Sequence, residues 1–401
     1  MRIAGIAAEY NPFHNGHKYH IEETRRLARA DRIAVVMSGS FVQRGEPACA
    51  DKFTRAEWAV TNGADIVIEL PDVFALSCAE RFAKGAVRIL AGAGLADVLS
   101  FGSETGSMEK LKLAADSIPD HETLAEALNE GKSYPRAVAE TSGSDLSPND
   151  ILAVEYIRAA EKYCPDTELL AVKREGGGYL SSELASEYSS AMAIRSALSR
   201  YGAETRMSPA VFDELNKALP RNVLDGVSAL MREGRFPATA AGLSDAVLAK
   251  LRTMSREEIM DVPEVGEGLE NLFLRESMNA SDADEMLRAV KSKRYTMARL
   301  KRIAMNALLG VTKELQDAAA EDGSALYARV LAVRKGSEDL LERLANGSRI
   351  PVIIKASDRE DLPPLAKMIE RISSRAHSIR AVGQPYDKSA CDDSSFRLIV
   401  R

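Results

Sequence analysis

The sequence predicts a doubly wound α/β domain on a parallel sheet, followed by a mostly helical part with a small α+β tail. The first 200 residues alternate short apolar runs with amphipathic helical segments, and the runs are continuously apolar. Strands that are apolar on both faces are typical of a parallel sheet covered by helices on both sides. A chain of 401 residues also exceeds one small core, which favours two domains.

Five apolar runs are predicted to be the strands of this sheet, at residues 2–8, 33–39, 65–71, 97–103 and 168–174. Helical periodicity appears between the early strands, at residues 17–30, 51–63 and 77–94. Gly63 and Gly94 stand at the ends of the second and third helices, where glycine readily adopts the left-handed C-cap conformation. Alternating strands and helices indicate repeated β-α-β units.

The character of the chain changes at about Tyr201. From there to about residue 345 the pattern is almost wholly helical, and the helices are expected to break at Pro209, Pro220, Pro237 and Pro263. The tail is mixed, with a predicted strand at 350–356, a helix near 363–380 and a last strand at 396–400. We therefore expect one domain over residues 1–200 and a second over residues 201–401.

Composition limits the class of protein. The net charge of −6 argues against a globally basic nucleic-acid binder, so any nucleic-acid surface must be a local patch. The four cysteines form no C-x-x-C pair, which favours a reduced chain without a cysteine metal site. The sequence shows no signal-peptide pattern and no apolar run of the roughly 20 residues that a spanning helix needs. We expect a cytoplasmic protein with no membrane partner.

Five polar or glycine-rich loops follow the predicted strands, at residues 9–17, 38–47, 70–77, 101–107 and 173–178. The carboxyl ends of parallel strands meet at one edge of a sheet, and open α/β sheets bind their ligands at that edge. We expect these five loops to form one large site.

The first of these loops is rich in histidine. His14, His17 and His20 are three of the five histidines in the chain, and they lie around Pro12 and Gly16. A strand, a stiff turn and a helix start can bind phosphate, because the first N–H groups and the dipole of the helix attract an anion, and glycine lets backbone approach it. His14 and His17 share one helix face, where imidazolium groups would stabilise charge on a pentavalent phosphorus and a leaving pyrophosphate. His20 is expected to support them.

Three other interpretations of these histidines compete with phosphate binding. Two histidines three residues apart could bind zinc, but a third ligand at a suitable spacing is missing from the sequence. A dinucleotide site would need G-x-G-x-x-G after the first strand, and none stands there. The side chains could also be purely structural, although three histidines in one polar loop are an unusual way to build a core. We predict no protein-bound metal.

A second element supports phosphate binding. The stretch YSSAMAIRSAL (188–198) places Ser189 and Ser190 at a helix start, where serine is a good N-cap, and Arg195 one to two turns later. It resembles the I-S-S-T-x-I-R element of nucleotidyltransferases, whose serines and arginine hold the β and γ phosphates. With H-x-G-H earlier in the chain, it makes the sequence similar to the HIGH nucleotidyltransferase superfamily. The resemblance implies a Rossmann-like domain that directs attack on the α-phosphate of ATP and releases pyrophosphate.

Further motifs narrow the resemblance and cover nearly the whole chain. In order they are MSGSFVQRGEPA (37–48), D-K-x-x-R (51–55), F-G-S-E (101–104), S-P-N-D-I-L-A-x-E-Y (147–156), K-R-x-G (173–176) and K-S-K-R-Y-T-x-x-R-L-x-R (291–302). This set is similar to that of the tRNA(Met) cytidine acetate ligases. Membership implies that ATP activates acetate as acetyl-adenylate, and that the wobble cytidine of elongator tRNA(Met) receives the acetyl group on its exocyclic amine. Mg²⁺ is expected to accompany ATP.

The resemblance also implies the residues that bind ATP. These are Ala7, Ala8, Glu9, Tyr10, Asn11, Pro12, Phe13, His14, Asn15, Gly16, His17, Lys18, Tyr19, His20, Gly102, Asn149, Arg174, Ser189, Ser190 and Arg195. Among them, His14 and His17 would be catalytic. Gly102 would let backbone approach the adenosine or simply form a turn. Asn149 would hydrogen-bond a ribose or base edge or else cap a helix, and Arg174 would pair with phosphate.

The sequence departs from the family at one point. Tyr179 is followed by Leu180, whereas the family usually continues from tyrosine to histidine. If that histidine contacts substrate, we expect this member to bind ATP or RNA differently or to turn over slowly.

The run KSKRYTMARLKR is basic within an acidic chain. Its six basic residues are Lys291, Lys293, Arg294, Arg299, Lys301 and Arg302. Among them, Tyr295 could stack on a base or ribose. A lone basic run is most simply a solvated helix face, but beside an ATP site it favours a tRNA platform. We therefore expect residues 1–200 to be the ATP-binding catalytic domain and residues 201–401 to bind tRNA.

Two other functions stay open at this point. The chain could be a nucleotidyltransferase that adenylylates a phosphorylated small molecule, or a non-enzymatic RNA-binding protein on a decayed transferase fold. The basic run argues against the first, which has no use for it. The intact H-x-G-H and S-S-x-x-x-I-R elements argue against the second.

Overall fold

The computed structural model describes residues 1–118, 146–175, 188–200, 207–266, 268–390, 393, 395 and 397–401. Its strands are β1 (Ile3–Ala8), β2 (Arg32–Ser38), β3 (Phe41–Val42), β4 (Glu46–Pro47), β5 (Ile66–Leu70), β6 (Val98–Ser103), β7 (Glu168–Lys173), β8 (Ala328–Val333), β9 (Val352–Ile353) and β10 (Ile399–Val400).

The α-helices of the described residues divide into two series along the chain. The first series is α1 (Asn15–Ala28), α2 (Lys52–Thr61), α3 (Asp72–Ala75), α4 (Ala79–Gly92), α5 (Met108–Ser117), α6 (Pro148–Tyr163) and α7 (Ala191–Arg200). The second series is α8 (Pro209–Ala218), α9 (Arg221–Arg232), α10 (Ser244–Thr253), α11 (Arg256–Met260), α12 (Leu269–Asn279), α13 (Ala283–Val290), α14 (Met297–Leu309), α15 (Lys313–Glu321), α16 (Asp339–Gly347) and α17 (Pro364–Val382).

The main sheet has the strand order β10-β8-β5-β2-β1-β6-β7, with β9 beside β8. Strands β5, β2, β1, β6 and β7 are mutually parallel, which confirms the five predicted strands and their direction. Strands β3 and β4 form a separate antiparallel hairpin after β2. The carboxyl ends of β1, β6 and β7 therefore meet at one edge, as expected for a ligand site.

Helices cover both faces of the sheet, which confirms the doubly wound class. The apolar side chains of α1, α2 and α7–α9 pack with alternate residues of β1 and β2, including Ala4 and Val35. The residues between them, including Ile3 and Val36, pack in a second core with α4–α6 and α10–α17. Two helix ends also match the sequence, since Gly63 and Gly94 have positive φ angles of 114° and 69°.

The expectation of an almost wholly helical segment up to residue 345 is wrong at β8. This strand, ARVLAV, is fully buried and apolar except for Arg329, and it pairs antiparallel with β5 in the main sheet. The predicted tail strands are real but only two residues long, as β9 and β10, and the predicted helix is α17. The division of the chain at about residue 200 stays a prediction.

Two smaller expectations concern thiols and membranes. Cys49, Cys78 and Cys164 are free, and Cys391 lies outside the described residues. In the part of the chain that the structure describes, no helix combines the length and apolarity needed to cross a bilayer.

Candidate active site

The loop after β1 folds into the N-terminus of α1, and His14 caps that helix. The Gly16 N–H donates to His14 Nδ1 (3.1 Å), and the His14 N–H lies 3.3 Å from His17 Nδ1. The two rings stack with their centroids 3.6 Å apart and their planes inclined by 25°. Because each Nδ1 accepts a backbone hydrogen bond, each Nε2 carries the ring proton. The pair thus offers two Nε2–H donors at the helix start.

Both donors are neutral in the free protein. Burial, followed by the charges of Arg174 and Arg195, lowers the pKa of His14 to about 3. Burial also lowers the pKa of His17 to well below its usual value, and the neighbouring His14 and Arg174 add to this effect. The expectation of imidazolium groups is therefore wrong for this fold, because burial and the neighbouring arginine charges both oppose protonation of the rings.

Gly16 and His20 complete this part of the site. A Cβ at Gly16 would lie 3.0 Å from His14 Cε1, so the absence of a side chain keeps the ring in its capping position. His20 Nε2 lies 3.1 Å from Ser100 Oγ on β6, and burial, followed by the charge of Arg174, lowers the His20 pKa to about 4. His20 ties α1 to the neighbouring strand, in agreement with a supporting role.

A cavity of about 240 Å³ lies over the carboxyl ends of β1, β6 and β7. Most of the residues predicted to bind ATP line it: Ala7, Ala8, Glu9, Tyr10, His14, Gly16, His17, Tyr19, His20, Gly102, Asn149, Arg174, Ser190 and Arg195. The structure thus brings together residues that are spread over nearly half of the chain, from β1 to α7.

The other residues predicted to bind ATP do not line this cavity. Asn11 and Phe13 are buried: Asn11 Oδ1 accepts from the Cys49 N–H (2.8 Å), and the Phe13 ring packs against Tyr10. Asn15 donates to the Lys217 carbonyl, and Lys18 is exposed. Pro12 and Ser189 are buried beside the cleft without lining it, and Leu180 lies outside the described residues.

The serine–arginine element approaches the cleft from α7. Ser190 Oγ accepts from the Ala193 N–H (3.1 Å) and so caps the helix as the sequence predicts. Arg195 Nη1 donates to the Asn11 carbonyl (2.7 Å), which ties α7 to the histidine loop. The guanidinium is about three-quarters buried, so it faces an incoming anion with little competition from water.

Glu104 joins two predicted ATP-binding residues at the far end of the cleft. Its carboxylate accepts from the Asn149 amide and from Ser147 Oγ, and it lies 3.6 Å from Arg174 Nε. Ser147, not Asn149, is the N-cap of α6, because Ser147 Oγ accepts from the Asp150 N–H. Capping therefore does not explain Asn149, whose side chain faces the cleft.

The fold and cleft have close relatives among known proteins. The family model described as HIGH Nucleotidyl Transferase matches residues 1–393. The tRNA(Met) cytidine acetate ligase of Acetivibrio thermocellus is 35% identical over 374 residues, 89% of each chain. That of Alkaliphilus metalliredigens is 33% identical over 407 residues, 95% of this chain and 94% of the relative.

The chain belongs to the tRNA(Met) cytidine acetate ligase family.

Solved structures agree with this assignment. Thermotoga maritima TmcAL bound with alpha-thio ATP has a TM-score of 0.89 and 30% identity, with both chains covered completely. The apo form of the same protein has a TM-score of 0.90. The α/β class with a long helical part is thus the architecture of the acetate ligase family.

Sequence reasoning missed several residues that line the cleft of this acetate ligase family member. Gln43 and Arg44 enter it from the β3–β4 hairpin, and Met192 from α7. Four apolar or aromatic residues also line it: Phe82, Phe101, Leu152 and Tyr156. The signal for Arg44 was present, because it lies in a polar loop after a parallel strand. Three of the four apolar residues lie within the motifs at 101–104 and 147–156, but their residue types are those of ordinary core positions and did not mark them as part of a cleft.

The basic run is divided between solvent and the interior. Lys291, Lys293 and Arg294 are exposed in the loop before α14. Tyr295 is only 7% exposed and belongs to the core, with Arg299 packed on its ring (5.1 Å), so the ring does not face solvent for stacking on a base.

The last three basic residues of the run have partners within the protein. Arg299 donates to the Glu264 carbonyl (2.7 Å), Arg302 pairs with the Glu264 carboxylate (2.6 Å), and Lys301 pairs with Glu46 (2.7 Å). Two of these residues are in ion pairs, Arg302 with Glu264 and Lys301 with Glu46, and Arg299 is bound to a main-chain carbonyl. The exposed basic residues of the predicted platform are its first three, Lys291, Lys293 and Arg294. Sequence spacing could not show this, since both glutamates are distant in the chain.

Proposed function

We propose that this chain ligates acetate to the cytidine of tRNA(Met), with ATP as the second small substrate. The observation that carries the proposal is the cleft itself, where two stacked imidazole donors, a helix N-terminus and Arg195 converge. This set of donors suits a nucleoside triphosphate, because neutral N–H donors and a guanidinium can bind several phosphate oxygens at the same time. The names of the relatives supply the other two substrates.

The proposed ATP pose follows the two ends of the cleft. The phosphates lie between His14, His17, Ser190 and Arg195, and the adenosine lies toward Gly102, Asn149 and Arg174. A Cβ at Gly102 would meet only ordinary contacts with Arg174, at 3.5 Å and beyond. Packing within the protein thus does not require glycine there, which supports a close approach by ligand.

Mg²⁺ is proposed to enter as part of the ATP substrate. Among the described residues, no group of three or more His, Cys, Asp or Glu side chains could hold a metal ion. The phosphates of MgATP carry their own oxygen ligands for the ion.

The first proposed step makes acetyl-adenylate. A carboxylate oxygen of acetate attacks the α-phosphorus, the bond to the bridging oxygen of the β-phosphate breaks, and pyrophosphate leaves with the electron pair. The Nε2–H groups of His14 and His17 donate to oxygens on which charge grows. Their neutral state suits this task, because a donor fixed in place before the reaction needs no reorganisation to stabilise that charge.

The second proposed step transfers the acetyl group to RNA. The exocyclic amine of the wobble cytidine of elongator tRNA(Met) attacks the acetyl carbon, the bond from that carbon to AMP breaks, and the amine gives up one proton to solvent. The tRNA backbone is proposed to lie on the exposed Lys291, Lys293 and Arg294. These side chains are exposed and would neutralise phosphates of the tRNA backbone.

Product analysis tests the proposal. The purified chain is incubated with MgATP, labelled acetate and a tRNA(Met) transcript, and the digested nucleosides are separated by chromatography. We expect the label in N-acetylcytidine, and labelled acetyl-AMP when tRNA is omitted. Transfer of AMP to a phosphorylated small molecule, with no label in the tRNA, would favour a different nucleotidyltransferase. Binding of tRNA without any product would favour a non-enzymatic protein.

A further inference from the structure

The β3–β4 hairpin connects the candidate active site to helix α14. On one side, Gln43 and Arg44 line the cleft. On the other side, the turn of the hairpin lies directly on the helix: a Cβ at Gly45, where φ is +75°, would come within 2.4 Å of the Arg302 nitrogen and 2.5 Å of the Lys301 carbonyl carbon. Glycine at position 45 permits this close approach, so hairpin and helix are positioned together.

Glu46, in the same hairpin, lies between two cations from different helices. Its Oε1 accepts a hydrogen bond from Lys301 Nζ (2.7 Å), and its Oε2 lies 4.0 Å from Arg195 Nη2. Burial by itself raises the pKa of the Glu46 carboxyl, but Lys301, Arg195 and Arg44 outweigh burial and hold the pKa below its usual value. Glu46 is therefore an anion at neutral pH.

An anionic carboxylate at this point works against a triphosphate site. It competes with phosphate for the Arg195 guanidinium, and it repels phosphate at short range, where a partly buried pair is poorly screened by salt. The ammonium of Lys301 removes this conflict, because it lies closer to Glu46 than Arg195 does. A nucleic-acid phosphate that captured Lys301 would bring the conflict back.

We propose that Lys301 is a positioning residue of the ATP site: by neutralising Glu46, it leaves Arg195 to bind the triphosphate. The inference rests on the ATP site proposed above, and it assigns Lys301 to that site and not to the tRNA surface. Without the Lys301 charge, Glu46 would draw the Arg195 guanidinium toward itself and ATP would bind more weakly. In the absence of both the Lys301 and the Glu46 charge, the Arg195 guanidinium would again be available to bind the phosphates.

The test is a double-mutant cycle on the full chain, with MgATP affinity measured by isothermal titration calorimetry. Lys301→Met keeps the apolar stem of the side chain, and Glu46→Gln keeps the shape of the carboxylate. We expect Lys301→Met to weaken MgATP binding on the order of tenfold and the double variant to regain most of this loss. Lys84→Met is the matched control, because it breaks a similar ion pair, with Glu321 (2.6 Å), away from the cleft.

Salt dependence of tRNA binding gives a second readout. Lys301→Met should leave the log–log salt slope unchanged, whereas Lys293→Met should reduce its magnitude by about 0.7–0.9. Any one of three results would overturn the inference and leave the ATP site standing. These are an unchanged MgATP affinity in Lys301→Met, a loss of affinity that the double variant does not recover, and a changed salt slope in Lys301→Met. Wild-type protein that does not bind MgATP, or binding that survives Arg195→Ala, would instead overturn the ATP site and the inference with it.

Discussion

The imidazoles of His14 and His17 are held in one tautomer by the helix that they begin. Each Nδ1 faces a backbone N–H of the first turn, so the same contacts that cap α1 also orient the two ring protons. Capping and the proposed phosphate binding therefore depend on the same side chains. Substitutions here must be chosen so that loss of the cap can be told from loss of chemistry.

Removal of either ring should slow acetyl transfer roughly a hundredfold or more, since one fixed donor to a transition state contributes about 2.7–4 kcal/mol. His14→Asn keeps a side chain that can cap the helix, whereas His14→Ala does not, and only the alanine variant should lose about 1 kcal/mol of unfolding free energy. Single-turnover rates and urea unfolding measure the two effects. Glu22→Ala, exposed on the same helix, is the control. Wild-type rates in both His14→Asn and His17→Ala would remove the pair from the mechanism.

The pH dependence of stability should show the neutral state of His20, which is partly buried. Its pKa in the folded chain is about 4, against 6.5 for an unperturbed histidine, so the unfolded chain binds the proton first as pH falls. The stabilisation is complete above pH 6.5, falls by roughly 1.4 kcal/mol per pH unit below that, and levels off near the folded pKa. His20→Gln should lose this part of the pH dependence. If the unfolding free energies of the wild type and His20→Gln changed in parallel between pH 7 and pH 4, the neutral state of His20 would be contradicted.

Glu104 should matter for ATP binding more than for chemistry. Glu104→Gln removes the charge that holds Arg174 and weakens the acceptor for Asn149, and we expect KM for ATP to rise on the order of tenfold with kcat little changed. Steady-state kinetics with varied ATP measure both constants. Glu109→Gln, an exposed position on the following helix, provides the comparison. An effect confined to kcat would mean that Glu104 acts on the transition state.

The basic loop before α14 should set the salt dependence of tRNA binding. Replacing Lys291, Lys293 and Arg294 together by alanine should flatten the log–log slope by roughly two to three units, because each neutralised phosphate contributes about 0.7–0.9. Formation of acetyl-AMP without tRNA should continue, since the loop lies outside the cleft. Arg299→Ala should instead lower stability, because it removes the hydrogen bonds to the Glu264 carbonyl and the closer of the two arginines on the Tyr295 ring. An unchanged slope in the triple variant would place the tRNA elsewhere.

The parallel part of the sheet was predictable because its strands are continuous apolar runs bounded by helices. The same rule could not find β8, since a short, mostly apolar run that contains Arg329 and follows a long helical segment fits a buried helix as well as a strand. What decides between them is β5, a pairing partner far away in the chain. Local patterns carry no information about such a partner.

Prediction of the site from the sequence has the same limit as prediction of the fold. The motifs identified His14, His17, Ser190 and Arg195, because their residue types and spacing report directly on phosphate chemistry. Charge state and exposure depend on which elements pack together. The neutrality of the histidines comes from burial beside Arg174 and Arg195, and the internal role of Arg302 comes from Glu264.

Strand β8 also has a consequence for the order in which the molecule is made. On the ribosome, β5 is synthesised early, and its outer edge has no partner from β8 until translation has reached Val333. Exposed strand edges attract other strands, including those of neighbouring nascent chains. The first half of the chain therefore passes through a stage in which its sheet is open on one side, and chaperone protection would be most valuable at that stage.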